Sequence, residues 1–575
     1  MKLAQKIIGK LENIHPLYIF TVLFLLTLIV YGVSLSNGFV WDDEEQIVNN
    51  AIIQNLHNIP YLFTASTFNT GGAGGLSGWY YKPLMPFVFS IIFWMFGNNA
   101  FGFHLFDIFL HFINGVLIFI LFRKIFLLQK LRFATAIPFI LSMIFIVHPA
   151  NTESVAYISS TQELLYVFFM LFALLFTFRY SLNKTHSLRD ILLINLFIFL
   201  SLLSKESGVI TIALVIIFAY LFKGRKIIAI ILSSVITFII YLILRFPVAK
   251  TPIFEHQSIV PIANATLYQR LTTVPFELFS YIRLIFFPKD LFVAQHTVVK
   301  SVNDPRFYVY LPIALFFFSA LIFLCKKIKS KSYLFFFIWF ILSLSIIINI
   351  YPLDMTVAER WLYGPIIGFL GMLGISISNI KNNQVQTAIL MLLLFLIPIF
   401  SIRTIERNFN WKDDLTLFSH DIKYSKNSFD AQNNLGVALF RKGDLKDAKV
   451  HFEESIRLSP KWWTSYSNLG VIYQRAGNLK KADDLYTIAI KNGGYYLAYE
   501  NKAEILYETA TPKQTLSFVL KGLKYLPFNE TLNKIAALEY QKIGDITSAK
   551  EYARKTFEID PTQENYLILH KILNY

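Results

Sequence analysis

The sequence predicts an all-α protein in two parts: a polytopic membrane domain of about eleven transmembrane helices, then a solenoid of helix pairs. Three observations predict it. Residues 1–405 hold repeated apolar runs of roughly 15–22 residues, enough to cross a hydrocarbon core of about 30 Å. Basic clusters alternate with Lys/Arg-poor segments at the ends of those runs, as a membrane-sided chain requires. After Arg403 the composition turns polar and a period of 34 residues sets in. The whole chain of 575 residues is 55% hydrophobic and 17% aromatic, with a mean hydropathy of +0.51.

Two function classes fall away early. The single cysteine, Cys325, excludes an intrachain disulfide. The formal charge of +16 invites a nucleic-acid reading. Basic residues in a polytopic chain flank helices on the cytoplasmic side, however, and no base-stacking pattern accompanies them.

The basic, amphipathic start carries Lys2, Lys6 and Lys10, which places the N-terminus inside. The run Leu17 to Ser36 reads as a retained first span, since no small-residue cleavage site follows it. Further spans are predicted near 101–122, 134–148, 162–179, 190–204, 208–222, 227–247, 305–325, 333–350, 360–380 and 386–402. Pro83–Gly97 and Thr272–Pro288 begin and end on the outer side and read as interfacial or re-entrant helices. An odd count starting inside ends outside. The expected division is a membrane domain over 1–405, a linker over 406–427 and a repeat domain over 428–575.

The repeat is explicit. "NNLGVALFRKGDLKDA" (Asn433 to Ala448) returns as "SNLGVIYQRAGNLKKA" (Ser467 to Ala482), with Gly436 to Gly470 and Gly443 to Gly477 both 34 residues apart. Gly544 and Ala549 mark a further unit, and Pro460, Pro527 and Pro561 close three units. This resembles the tetratricopeptide repeat, with about four units. The third is degenerate, with Leu516 where alanine is expected and Gly494 in place of the closing proline. Such an array offers a concave surface to a peptide, protein acceptor or assembly partner; its other reading is a brace for the membrane domain.

Charged groups at outer helix ends are the candidates for chemistry. The first outer loop begins "SNGFVWDDEEQIVNN", with Asp42, Asp43, Glu44 and Glu45 in a row, and goes on to "YYKPL" with Lys82. "FHLFDIFLH" holds His104, Asp107 and His111; "HPANTESVAYISSTQELL" holds His148, Glu153 and Glu163. "SKESG" holds Lys205 and Glu206, and "VAERWLYGPIIGF" holds Glu359 and Arg360. No metal-ligand spacing is tight enough to predict a metal site, and satisfied polar packing is the expected role of His104, His111 and His148. "NTGGAGGLSGW" (Asn69 to Trp79) follows no strand and opens no helix of the nucleotide-binding kind; it reads as a flexible loop or lid.

These motifs, with "RTIERNFNWKDDLTLF", occur in the order seen in transmembrane and tetratricopeptide-repeat O-mannosyltransferases and their prokaryotic relatives. The resemblance covers nearly the whole chain and implies a fold of the glycosyltransferase C superfamily. Those enzymes take a sugar from a polyprenyl-phosphate carrier on the extracytoplasmic side. An acceptor Ser/Thr hydroxyl is a weak nucleophile and needs a general base. The resemblance carries that role, an acid at the exit of the first span, onto Asp42, with Asp43 as its orienter or an acceptor-binding group. Glu44 and Glu45 do not match the core of the motif and are expected to be solvated.

The departing phosphate needs positive charge. Arg360 ranks first because a guanidinium grips phosphate bidentately, with Lys82 and Lys205 beside it. Ion pairing of Arg360 and snorkelling of the lysines are the competing readings. Glu153, Glu163 and His148 are candidates for binding acceptor or sugar. No cofactor or divalent metal is implied beyond the lipid-linked sugar.

One departure matters: where the family often has an arginine near the start of the "ELL" helix, this chain has Thr161 and Gln162. The hexose is therefore not assumed to be mannose. The same fold could glycosylate a cell-surface lipid or glycan. A non-catalytic scaffold or transporter is the reading from another class. The Lys-, Asn- and Ile-rich usage suits a prokaryotic inner membrane.

Overall fold

A computed structural model describes residues 2–67, 80–182, 187–222, 227–251, 260–293 and 295–574. The glycine-rich loop at 69–79 lies outside the described residues. Among the described residues every regular element is helical, and Gln295 with Val357 forms an isolated bridge.

Each predicted span falls on a helix. Pro16–Tyr31 runs on into a tighter turn at Gly32–Ser36, and Ala100–Leu128, Thr161–Leu182, Ile227–Val248, Pro305–Ile328 and Asn383–Asn410 follow. Those six segments are long and apolar enough to cross a membrane singly, and Ala136–Val147 makes a seventh if its bent continuation, turned by 52°, is counted with it. The remaining four, Leu188–Ser204, Val209–Leu221, Lys331–Ser345 and Pro365–Ser378, have 17, 13, 15 and 14 residues. At 1.5 Å per residue they reach about 20–26 Å, short of a full hydrocarbon core. Leu84–Phe96 and Leu267–Phe286 are the two helices expected to lie at the interface. Large apolar side chains such as Trp94, Phe316 and Phe323 stand exposed, which a lipid-facing surface explains.

The last long helix does not stop at the expected boundary. It runs to Asn410, and a short helix, Asp414–Asp421, follows under the cap of Asp413. This segment is tied to the exit of the first span. Gly38 N–H donates to the Lys412 carbonyl at 2.9 Å, and Ser34 Oγ donates to Asn408 Oδ1 at 2.9 Å. The stretch 406–427 is thus a packed joint rather than a loose tether.

Four helix pairs build the array: Phe429–Lys442 with Leu445–Leu458, Trp463–Arg475 with Leu479–Gly493, Tyr496–Thr509 with Pro512–Leu523, and Glu530–Ile543 with Ile546–Ile559. Gln563–Leu573 covers the open end. In the degenerate third pair, where Ala510 stands at the place of Gly443, Gly477 and Gly544, Thr511 and Gln514 form a reciprocal cap and Pro512 sets the first turn of the second helix.

Close helix contact explains Gly470. A Cβ there would meet the ring of Tyr486 at 2.5 Å, and that ring is fully buried with its hydroxyl donating to Gln474 at 2.6 Å. Gly470→Ala is expected to destabilise the array by about 1–3 kcal/mol, overpacking outweighing the helix-propensity gain of up to about 1 kcal/mol. Urea unfolding of the array signal measures it; an unchanged midpoint contradicts the packing account.

Candidate active site

The acidic run is held in a strained turn. Trp41 has φ +56°, a conformation costly for a bulky residue, and it persists because its surroundings fix it. Its N–H donates to Asp414 Oδ1 at 2.8 Å. Its ring stacks on Tyr157 at 5.2 Å and meets Phe418 edge-on. Tyr157 stacks in turn on Trp411 at 5.4 Å. Two segments far from it in sequence, one with Tyr157 and one with Trp411, Asp414 and Phe418, thus clamp one residue, and the residue after it is Asp42.

The two aspartates then part. Asp42 faces a cavity of about 1700 Å³ and accepts a hydrogen bond from the Tyr157 hydroxyl at 2.8 Å. Asp43 turns inward and is fully buried. It accepts from Val40 N–H at 3.1 Å, Ser159 N–H at 2.8 Å and Ser159 Oγ at 2.6 Å. Burial raises Asp42 above the usual carboxylate range, against the pull of Tyr157 and Arg360. Burial pushes Asp43 up to about 7. Glu45, expected to be solvated, is half-buried on the cavity wall, and burial together with Asp42 pushes it up to about 7.

Cations line the same cavity. The Arg360 guanidinium pairs with Glu153 and lies 5.7 Å from the Trp41 ring centre. The ion pair read from sequence as a competing role therefore exists, with Glu153 as its partner. Lys205 pairs with Glu163. Lys82 lies 3.9 Å from Glu206 and 4.0 Å from the Tyr80 ring centre. Burial lowers the Lys82 ammonium against the opposing pull of Glu206. Arg245, at the end of its helix, shares Glu206 at 3.7 Å and donates to the Tyr241 hydroxyl at 3.2 Å.

Of the residues given a catalytic or binding role from the sequence, Asp42, Lys82, Lys205 and Arg360 reach the cavity. Asp43, Glu153, Glu163 and His148 stand behind its wall, buried. Glu153 and Glu163 hold two of the cations that do reach it, Arg360 and Lys205. His148 is removed from the site, because its Nε2 bonds the Ile285 carbonyl at 3.1 Å and its Nδ1 takes the Ala150 N–H at 3.3 Å. His111 is likewise used up in packing, between the Tyr363 hydroxyl and the Ile146 carbonyl. Sequence reasoning missed Arg245, Tyr157 and Asp354, all on the cavity. The signal for Arg245 was a lone cation closing an apolar run in "YLILRFP".

The cavity does not end at the membrane domain. Asp430 and Asn433, in the first helix of the first repeat, and Trp462 and Tyr495, just before the first helices of the next two, line its far side. It exceeds the roughly 300–1,000 Å³ of small-ligand pockets, so it has room for more than one substrate. Among the described residues no group of three His, Cys, Asp or Glu side chains is placed to hold a metal ion.

Fold and cavity define a helical membrane protein whose tetratricopeptide-repeat array opens onto a charged chamber at the helix ends. The tetratricopeptide repeat family matches residues 429–462 and 531–563. The chain resembles proteins named protein O-mannosyl-transferase. With F38B6.6 of Caenorhabditis elegans it is 26% identical over 446 residues, 77% of this chain and 62% of that protein. With TMTC3 of Mus musculus it is 23% identical over 486 residues, 76% of this chain and 51% of that protein. The chain thus spans about three fifths and one half of these relatives' lengths. Among solved structures, ArnT from Cupriavidus metallidurans bound to undecaprenyl phosphate aligns at 12% identity with a TM-score of 0.41, covering 87% of this chain and 80% of that one.

Proposed function

We propose that the chain is a glycosyltransferase that moves a hexose from a polyprenyl-phosphate carrier to Ser/Thr hydroxyls of extracytoplasmic proteins. One observation carries the reading: a single cavity joins the Asp42 carboxylate, a cluster of cations at helix ends and the inner face of the repeat array. Asp42 takes the proton of the acceptor hydroxyl as its oxygen attacks the anomeric carbon. The bond from that carbon to the phosphate oxygen breaks, and Lys82, Lys205 and Arg360 stabilise the departing phosphate. Asp43 acts through Asp42 by fixing the turn that aims it. Glu153 and Glu163 position Arg360 and Lys205. Apolar side chains such as Val209 and Phe246, on the same wall as Arg245, suit the lipid end of the donor. Gln162 also lines the cavity, at the place where an arginine is common in the family, so the hexose is not assigned as mannose on the resemblance alone.

In this reading residues 1–405 form the catalytic membrane domain, 406–427 join it to the array, and 428–575 present the acceptor. The N-terminus lies inside a prokaryotic cytoplasmic membrane and the array outside. Mass spectrometry of surface proteins from a deletion strain tests the assignment. Loss of a hexose from Ser/Thr residues is expected. An altered surface lipid with an unchanged glycoproteome would move the acceptor to a lipid or glycan, and no change in either would leave a scaffold or transporter.

A further inference from the structure

In a chain of formal charge +16, the part of the cavity around Asp42 is acidic. Glu44, Glu45, Asp354, Asp414 and Asp430 face it together with Asp42. Three of them are answered within the protein. Glu44 and Asp414 share Arg441 at 3.2 and 3.0 Å, and Asp430 meets His296 at 2.8 Å. Arg360, the cation beside Asp42, is engaged by Glu153 from behind the wall. Glu45 and Asp354 are left without a direct partner, Asp354 lying close enough to Lys82 and Arg360 to act on both electrostatically. Among the described residues neither side chain has an ion pair or a hydrogen bond. Asp354 is close enough to act electrostatically on Asp42, and Glu45 on Tyr495 and Tyr496 of the third repeat.

A second, separate observation sits beside Glu45. Gln46 is 2% exposed and lines the cavity, and its amide nitrogen has no partner. A buried donor without an acceptor costs free energy until a ligand supplies one, and a main-chain carbonyl is the simplest. The opposite wall is aromatic, with Trp462 and Trp463 stacked at 5.4 Å and Tyr495 edge-on to Tyr496 at 5.2 Å. Half-buried carboxylates facing aromatic rings recognise a cationic side chain, the carboxylate by charge and the ring by its face.

We propose that the acceptor is a basic, extended peptide segment, with Lys or Arg side chains held at Asp354 and Glu45 and a main-chain carbonyl bonded to Gln46. The inference rests on the acceptor being a protein and deepens that reading. Asp354 and Glu45 are specificity residues here; the base remains Asp42.

Fluorescence anisotropy with the full chain in detergent tests this through binding alone, so a failure of sugar transfer does not bear on it. The probes are short labelled peptides around one threonine that differ only in carrying Lys, Gln or Glu on either side. The Lys peptide is expected to bind about tenfold more tightly than the Gln peptide, the Glu peptide weaker still. Asp354→Asn and Glu45→Gln should each bring the Lys peptide toward the Gln peptide. Asp354→Lys should raise affinity for the Glu peptide, a gain that misfolding cannot produce. Equal affinity of the three peptides, no binding by any, or a preference untouched by both neutral variants overturns the proposal. So does Mn²⁺ binding that is lost in the same variants, which would assign the carboxylates to a metal.

Discussion

Asp42→Asn is expected to lower sugar transfer by about 10²–10⁴-fold, the range a positioned general base contributes. The asparagine is isosteric and its amide oxygen can still accept from Tyr157, so the turn at Trp41 and the thermal midpoint should hold. Asp43→Asn should behave differently. All three donors around Asp43 point at carboxylate oxygens, and an amide nitrogen there would face one of them. The expected cost is about 1–3 kcal/mol of stability, with only part of the activity lost. The pH profile separates the roles again. A base works deprotonated, and burial holds Asp42 above the ordinary aspartate value of about 3.9, so activity should fall on acidification at a pH above that value. The acid limb should vanish from the residual activity of Asp42→Asn. Full transfer by that variant, or an acid limb unchanged in it, would falsify the assignment of Asp42 as the base.

How much of this was legible in the sequence depended on the range of each interaction. The repeats were readable because Gly436, Gly470 and the closing prolines recur at fixed spacing, and spacing is local information. The span positions were readable because apolarity is a bulk property of a segment. How many helices cross was not, since Val209–Leu221 and Pro365–Ser378 are apolar yet short, and packing rather than composition decides what a short helix does. The site shows the same division. Asp42 and Asp43 are neighbours with one composition and opposite directions, and only the distant Ser159 and Tyr157 distinguish them. Arg360 was singled out by its charge at a helix end, but its partner Glu153 stands 207 positions away. Asp354 drew no notice beside Arg360, because an unanswered carboxylate is recognised only once every neighbour is placed.

Arg407→Met is expected to be the most destabilising single change outside the site. Arg407 is fully buried where the last membrane-type helix passes into the joint. Its guanidinium donates to both oxygens of Asp421, at 2.8 and 3.4 Å, stands 3.9 Å from Glu359 and lies 5.5 Å from the Trp411 ring centre. Removing it leaves two buried carboxylates without their cation, a loss of about 3–5 kcal/mol. Trp411 stacks on Tyr157, and Tyr157 on Trp41, so the same loss reaches the turn that aims Asp42. Two readouts should therefore move together: a lower thermal midpoint in detergent and faster protease cleavage between 411 and 428. Arg407→Met combined with Asp421→Leu should regain part of the stability, since an apolar pair of similar volume needs no charge compensation. Under the proposed function, both variants should raise KM for a protein acceptor and lower kcat, because the joint holds both the array and the turn that aims Asp42. An unchanged midpoint and cleavage pattern in Arg407→Met would mean that the array is held by its apolar contacts alone, such as Trp411 against Leu417 and Phe418, and that the buried ion pair contributes little.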